Sequence, residues 1–466
     1  MEKLRQIRKI PFLIDEENVN GSVKDTGKLY LRRMIVSGLL SLILLFIIIY
    51  TLPKTILFVT SLLEYSIIVS LVLFLIILLV RYFVILFLAY LYVNEYTFLE
   101  ENNFSAFVSI IVPAFNESKV LKQSIQSLLD LNFRNYEIII VNDGSTDDTR
   151  EIAESFVGYR RGKFNEIKIT LINKENGGKS TALNTGIKYS NAEFVLCMDG
   201  DSQLSPDSLK RAIRHFKNPK IGAVAGNVKV LNRKRFLTDL QALEYIEGLN
   251  MARSAQSFVR AVNIIPGPIG VFRKSAIIEA GYYSSDTFAE DADLTLKILA
   301  KDWKIYYEPR AISYTEAPST FQQLLKQRYR WTRGIIQSIR KHKKQLINPT
   351  INFRNTVILW SMFYEALIWP PMNIAAHLFF IIAALVFGFS SLIIFWWIGL
   401  ALLDFISALY CIAVEKEEAR LLPYTIIYRM FFILVIDICK AMSTIEEFLG
   451  IKMTWGKQKE RAHNFL

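Results

Sequence analysis

The sequence predicts an α/β domain inserted between two membrane-spanning blocks. Three observations carry this reading. Short β-branched runs alternate with helical stretches from residue 107 onward, and long runs without charge lie near both ends of the chain. The mean hydropathy is +0.27 in a chain that still has 21% charged residues, so the apolar excess is localised. A small secreted scaffold and a disordered tail protein are thereby excluded. The 466 residues carry a net charge of +12. A surplus of this sign suits anionic lipid or a phosphate-bearing ligand, and the apolar spans favour both over nucleic acid. Cys197, Cys411 and Cys439 are too scattered for a disulfide framework, and His215, His342, His377 and His463 too few for a histidine-built metal centre.

Residues 1–33 form a basic N-terminal segment with eight Lys and Arg, and the loop between the first two apolar runs holds one, Lys54. The positive-inside rule therefore places this segment in the cytoplasm. The leader is too long and the apolar run too far in for a cleavable signal peptide. Residues 34–94 supply two spans, Met34–Leu52 without charge and Tyr65–Asn94 interrupted only by Arg81. A C-terminal membrane region covers 356–449. Within it Ala366–Leu403 lacks Asp, Glu, Lys and Arg and is long enough for most of two crossings, with a turn at Gly388–Ser391. Leu421–Leu449 carries Arg429, Asp437 and Lys440, and whether it crosses is left open. Residues 450–466 are a basic tail.

The domain between these blocks, 102–318, opens with the strand run Phe107–Val112, followed by a helix to about Asp130. The strand runs Glu137–Val141, Ile167–Ile172 and Phe194–Met198 and the helix Lys179–Tyr189 continue the rotation expected of a parallel sheet. Ligands of such sheets sit beyond the carboxyl ends of the strands. Those ends read Pro113-Ala114-Phe-Asn-Glu117, Asn142-Asp143-Gly144 and Asp199-Gly200-Asp201.

Asp199 and Asp201 after an apolar strand can hold a hard cation such as Mg²⁺ or Mn²⁺, although a D-G-D triplet is also an ordinary turn. Asn176-Gly-Gly-Lys179-Ser-Thr181 fails as a P-loop, because Asn173 stands where the first glycine belongs. A glycine turn with Lys179 at a helix start, able to face a diphosphate, survives beside the plain reading of a loop–helix junction. Glu290, Asp291 and Asp293 open a helix, where acids also serve as caps. Residues 319–348 form a basic amphipathic helix containing Gln327-Arg328-Tyr329-Arg330-Trp331. From Thr320 to Asn348 there is no acid and there are eight Lys and Arg. Such a helix suits an anionic membrane surface or a plain anchoring role.

In this order Asp143, Asp199-Gly-Asp201, Glu290-Asp291 and Gln327-Arg-Tyr-Arg-Trp331 resemble the motifs D, DxD, (T/E)D and QxxRW of membrane-embedded, inverting family 2 glycosyltransferases. That group includes the cellulose, chitin, hyaluronan and poly-N-acetylglucosamine synthases, and the overall look is nearest the last. The resemblance implies a GT-A, Rossmann-like fold and a UDP-sugar donor. It implies that Pro113, Ala114, Glu117, Asp143 and Lys179 face the nucleotide, that Asp199 and Asp201 hold the metal and diphosphate, and that Arg328 and Arg330 stabilise the leaving diphosphate. Asp291 would be the general base, with Gly267, Gly270, Glu290, Gln327 and Trp331 at the acceptor. Trp455 resembles, more faintly, a gating tryptophan of hyaluronan synthases. The tail after Leu449 is too short for a cyclic-dinucleotide-binding domain of the bacterial cellulose synthase kind. Ala289 precedes Glu290-Asp291 where many members have Thr.

The function so implied is a processive hexosyltransferase that polymerises a β-linked polysaccharide from a UDP-sugar, preferably UDP-N-acetylglucosamine. It would pass the growing polysaccharide through its own spans in the plasma membrane, with the catalytic domain cytoplasmic. Its partners are the donor, the polymer and the lipid bilayer, with no nucleic acid; a small membrane partner subunit is left open. The alternatives are single-sugar transfer to a lipid carrier, a synthase using UDP-glucose or another UDP-sugar, and a non-catalytic scaffold.

Overall fold

The computed structural model describes residues 62–97, 104–233, 235–387, 391–415 and 417–451. The expected span Met34–Leu52, the charged leader, the gating candidate Trp455 and most of the turn Gly388–Ser391 lie outside them.

Nine strands form one sheet in the order β3-β4-β2-β1-β5-β8-β7-β9-β6. They are β1 Val108–Ala114, β2 Tyr136–Asp143, β3 Gly158–Arg161, β4 Glu166–Lys174, β5 Phe194–Cys197, β6 Gln203–Leu204, β7 Ile221–Val230, β8 Gly270–Arg273 and β9 Lys304–Thr315. Strand β1 pairs in parallel with β2 and β5, and β2 in parallel with β4. These four parallel strands are what the alternating sequence predicts, while the edge strand β3 pairs antiparallel with β4. Every residue of β1 and β7 is buried, so these strands read as continuous runs with no polar face.

The expectation of a parallel sheet is corrected in the other half. Strand β8 runs antiparallel between β5 and β7, and β6 antiparallel to β9, so the sheet is mixed. Strand β8, Gly270–Arg273, offers only Val271 and Phe272 between a glycine and an arginine, too little apolar run to mark a strand.

The helices that position the site are α1 Leu62–Thr97, α2 Leu121–Leu129, α3 Lys179–Tyr189, α4 Phe236–Glu244, α5 Met251–Phe258, α6 Glu290–Ala300, α7 Phe321–Lys341, α8 Phe353–Phe363, α9 Trp369–Phe387, α10 Ser391–Val414 and α11 Leu434–Phe448. Among the described residues three helical stretches are long and apolar enough to cross a membrane: Val72–Tyr92, Phe353–Ile382 and Ala419–Phe448. The second joins α8 to α9 through a π-helical turn, Tyr364–Ile368, and so begins 13 residues before the expected Ala366. Helix α10 is a further apolar helix that carries Asp404. Its carboxylate accepts from Arg429 Nε at 2.5 Å, so the two charges on neighbouring apolar helices neutralise each other. Likewise Arg81 donates to Glu365 at 2.6 Å and lies over the Trp369 ring.

The sheet domain is fixed to these helices by specific contacts. Helix α1 packs along α5, and the Tyr92 hydroxyl donates to the Tyr307 carbonyl of β9. Just past α10, Glu415 accepts from Asn227 at 2.6 Å, and Glu417 pairs with Lys229 at 2.9 Å.

Candidate active site

The strand ends converge as expected of an α/β sheet. The Asp199-Gly200-Asp201 turn follows β5 and rests on the end of β1. A Cβ at Gly200 would lie 2.7 Å from the Pro113 carbonyl oxygen and 3.5 Å from Glu117 Cγ, so glycine is what lets the turn sit there. Ala114 is buried at the same strand end. Glu117 is buried, with its backbone N–H donating to Thr149 Oγ1 at 2.8 Å.

Asp143 ends β2 and is buried. Its Oδ1 accepts from Gly177 N at 3.1 Å and its Oδ2 from Gly178 N at 2.8 Å; Lys174 also pairs with it. The carboxylate therefore shapes the glycine turn that delivers Lys179. Gly178, with φ +88°, is the residue before α3, a conformation that L side chains rarely adopt.

Lys179 is the centre of the cluster. Its Nζ lies 2.6 Å from Asp199 Oδ1 and 2.9 Å from Glu290 Oε1, joining β5 to α6. Gly267 closes over this pair: a Cβ there would fall 2.9 Å from Lys179 Nζ and 3.0 Å from Asp199 Oδ2. A small cavity is lined by Lys179, Cys197, Gly267, Gly270, Tyr283, Glu290 and Asp291. The loop before β8 is tied to α6, since Ile265 N donates to Thr295 Oγ1 at 3.0 Å and that hydroxyl donates to the Asp291 carbonyl at 2.6 Å.

Charge in this cluster sets the two carboxyls apart. Burial would raise Glu290, but the Lys179 ammonium, with Arg330 nearby, holds it below the usual carboxylate range. Asp291, desolvated and beside the Glu290 charge, is pushed up to about 6. Burial opposes a charged Lys179, yet Asp199, Glu290 and Asp291 together hold its pKa above the ordinary value. One carboxyl stays ionised and the other is poised to exchange a proton near neutrality. Asp293, two residues along the helix, points elsewhere: it is fully buried and lies 3.4 Å from Lys297, 3.2 Å from Lys341 and 3.3 Å from His342. At 100° per residue, positions two apart face opposite sides of a helix.

The same geometry separates Arg328 from Arg330 on α7. Arg330 acts electrostatically on Glu290. Arg328 turns inward, buried against Glu244 at 2.5 Å. Gln327 accepts from Arg328 at 2.7 Å, and Trp331 lies half-buried under the Arg328 guanidinium. Arg333 also turns inward, 2.7 Å from Glu447. Helix α7 is thus packed into the protein through Arg328 and Arg333, while Arg340 and Lys341 in its last turn stay exposed.

Asp199 and Asp201 fit a divalent cation as two carboxylates on one turn; Lys179 occupies Asp199 Oδ1, and the Asp199 side chain remains 26% exposed. No group of three His, Cys, Asp or Glu among the described residues gathers to hold a metal. A cation here would therefore complete its shell with ligand oxygens and water, as Mg²⁺ and Mn²⁺ commonly do.

Sequence reasoning missed Gly334, Gln337 and Glu244. A helix-interior glycine is a legible signal for close backbone approach. Nothing in the local sequence marks the other two.

Residues 109–281 match the family described as Glycosyl transferase family 2. The chain is 37% identical over 228 residues to a poly-beta-1,6-N-acetyl-D-glucosamine synthase of Staphylococcus epidermidis, covering 49% of this chain and 54% of that protein. It is 35% identical to the synthase of the same name from Staphylococcus aureus over an equal span. The chain thus spans about half the length of the curated relatives it matches. Among solved structures, a mannosyltransferase from Pyrobaculum calidifontis in complex with GDP-Man and Mn²⁺ superposes with a TM-score of 0.54 at 20% identity, covering 82% of this chain and 100% of that one. Residues 109–281 are thus similar to the family 2 glycosyltransferase domain, and the sheet domain has a GT-A-like fold.

Proposed function

We propose that this chain, through its family 2 glycosyltransferase domain, is a membrane-embedded inverting synthase. It extends a β-linked polysaccharide from UDP-N-acetylglucosamine and passes the product across the plasma membrane, with the catalytic domain in the cytoplasm. The observation that carries the chemistry is the cavity lined by Lys179, Glu290 and Asp291, in which Lys179 pairs with both Asp199 and Glu290 and Arg330 acts electrostatically on Glu290. The named relatives support the sugar. The packing of α7 against α11 supports a site placed at the membrane entrance.

In this mechanism an acceptor hydroxyl oxygen attacks the anomeric carbon from the face opposite the diphosphate. The new glycosidic C–O bond forms as the bond to the β-phosphate oxygen breaks, and UDP departs with the electron pair. Asp291 takes the hydroxyl proton, which its raised pKa suits. Asp199 and Asp201 would hold Mg²⁺ or Mn²⁺, which neutralises charge on the diphosphate when bound. Lys179 and Arg330 add fixed positive charge where negative charge grows. Glu290 keeps Lys179 oriented between the strand and helix sides of the cavity. Trp331 offers the acceptor sugar a flat apolar face. Asp143 and Glu117, with Pro113 and Ala114, wall the nucleotide side.

Purified protein in proteoliposomes, given one radiolabelled UDP-sugar at a time with Mg²⁺ or Mn²⁺, tests the reading. Long polymer from UDP-N-acetylglucosamine is expected. Polymer only from another donor would change the sugar, and a lipid-soluble product carrying one sugar would replace polymerisation with transfer to a carrier.

A further inference from the structure

We infer that Glu244 and Arg328 are a positioning pair for Trp331, fixing the indole as the platform for the acceptor sugar. This rests on the reading of Trp331 as the acceptor face.

Arg328 is 2% exposed. Its Nη2 donates to Glu244 Oε2 at 2.5 Å and its Nη1 to Gln327 Oε1 at 2.7 Å, and its guanidinium carbon stands 4.2 Å from the centre of the Trp331 ring. Arg328 and Trp331 are three residues apart on one helix and so are side-by-side neighbours. A guanidinium held by a carboxylate and an amide has little freedom to rotate, and it covers one face of the indole. In this proposal the sugar ring takes the opposite face.

Glu244 ends α4, so the platform is aimed by a helix far away in sequence. The remote side of α7 is held separately, by Arg333 on Glu447 at 2.7 Å. Glu244 and Glu447 therefore both grip the motif helix, and of these two only Glu244 reaches Trp331 through its partner. Removing that clamp should weaken acceptor binding and spare the donor, because Lys179, Asp199 and Asp291 do not touch it.

The test uses the full chain in nanodiscs with UDP-N-acetylglucosamine as donor and a β-linked N-acetylglucosamine trisaccharide as acceptor. Transfer kinetics and direct trisaccharide binding in the presence of UDP are both measured. Glu244→Gln should raise the acceptor KM roughly tenfold with the donor KM within about twofold, on the scale of a desolvated cation–π contact. Glu244→Asp should restore part of the loss. The double variant Glu244→Gln/Arg328→Met leaves no buried charge unpaired, so it folds where the single variant is strained, and it should show the same acceptor defect. Glu447→Gln should lower the melting temperature with an unchanged acceptor KM.

An acceptor KM near wild type in the double variant, or an equal rise in Glu447→Gln, would overturn the inference alone. Wild-type protein that neither transfers to nor binds the trisaccharide would overturn the reading of Trp331 and this inference with it.

Discussion

Gly334 of α7 lies directly on the backbone of Ala289: a Cβ added at Gly334 would come within 2.5 Å of Ala289 N. Ala289 immediately precedes Glu290 and Asp291, and Gln337, one turn along α7, accepts from Phe288 N at 3.1 Å. The helix bearing Arg330 and Trp331 is thereby seated against the start of the helix bearing the proposed base.

Gly334→Ala should push α7 away from α6. The added methyl meets backbone atoms, which cannot swing aside, so a loss of about 1–3 kcal/mol in stability is expected. Polymer synthesis should fall at least about tenfold, since a displacement of an ångström at a reacting centre is costly. Thermal unfolding and polymer yield in the same preparation check this, and a variant with wild-type values in both would show that the contact has slack.

Asp291→Asn should lower transfer by roughly 10²–10⁴-fold while UDP-sugar binding stays within a fewfold, as loss of a general base requires. A base must be deprotonated to act. With its pKa raised to about 6, wild-type kcat should climb as pH rises through that value and level off above it. A flat profile between pH 5 and 8 would assign the proton to another group.

Lys179→Met removes the cation that lowers both Glu290 and Asp291. The acidic limb of the pH profile should therefore move to higher pH, and donor affinity should fall. Kinetics on both substrates across pH read the two effects separately. An unmoved limb would mean that Lys179 does not feel Asp291 in the working state.

Asp293→Asn tests the opposite face of α6. Its carboxylate is held below the usual range despite burial, by His342, Ser284, Lys297 and Lys341. A depressed carboxylate stabilises the fold above its unfolded pKa, and that stability is lost as pH falls below it. At pH 7 the variant should lose about 2–3 kcal/mol, less than a sealed ion pair gives because the Lys341 partner is partly exposed to solvent. Its kcat should remain within a fewfold of wild type. A collapse of kcat at unchanged melting temperature would contradict the separation of the two acids.

Chelation should abolish polymer formation if Asp199 and Asp201 hold the cation, and Mn²⁺ or Mg²⁺ should restore it. Asp201→Asn should raise the cation concentration needed for half activity. Full activity in excess chelator would remove the metal from the scheme.

Local pattern made much of this molecule legible. The runs Phe107–Val112 and Glu137–Val141 mark buried parallel strands because such strands have no polar face, and the acids after them mark the sheet edge where a ligand sits. Strand β8 was not legible, because Gly270–Arg273 has only two apolar residues between a glycine and an arginine, unlike the all-apolar β5, and neither was Glu244, whose partner lies 84 positions away.

By itself the sequence determined the order of motifs between membrane blocks and the chemistry each motif can supply. It left Arg328 and Arg330 equivalent, and Asp291 and Asp293 nearly so. Tertiary packing decided between them. On a helix, residues two apart face opposite ways, and only the neighbours brought in by folding fix which side meets the cavity and which meets Glu244 or Lys341. Those neighbours come from distant segments, so no local window of sequence contains the answer.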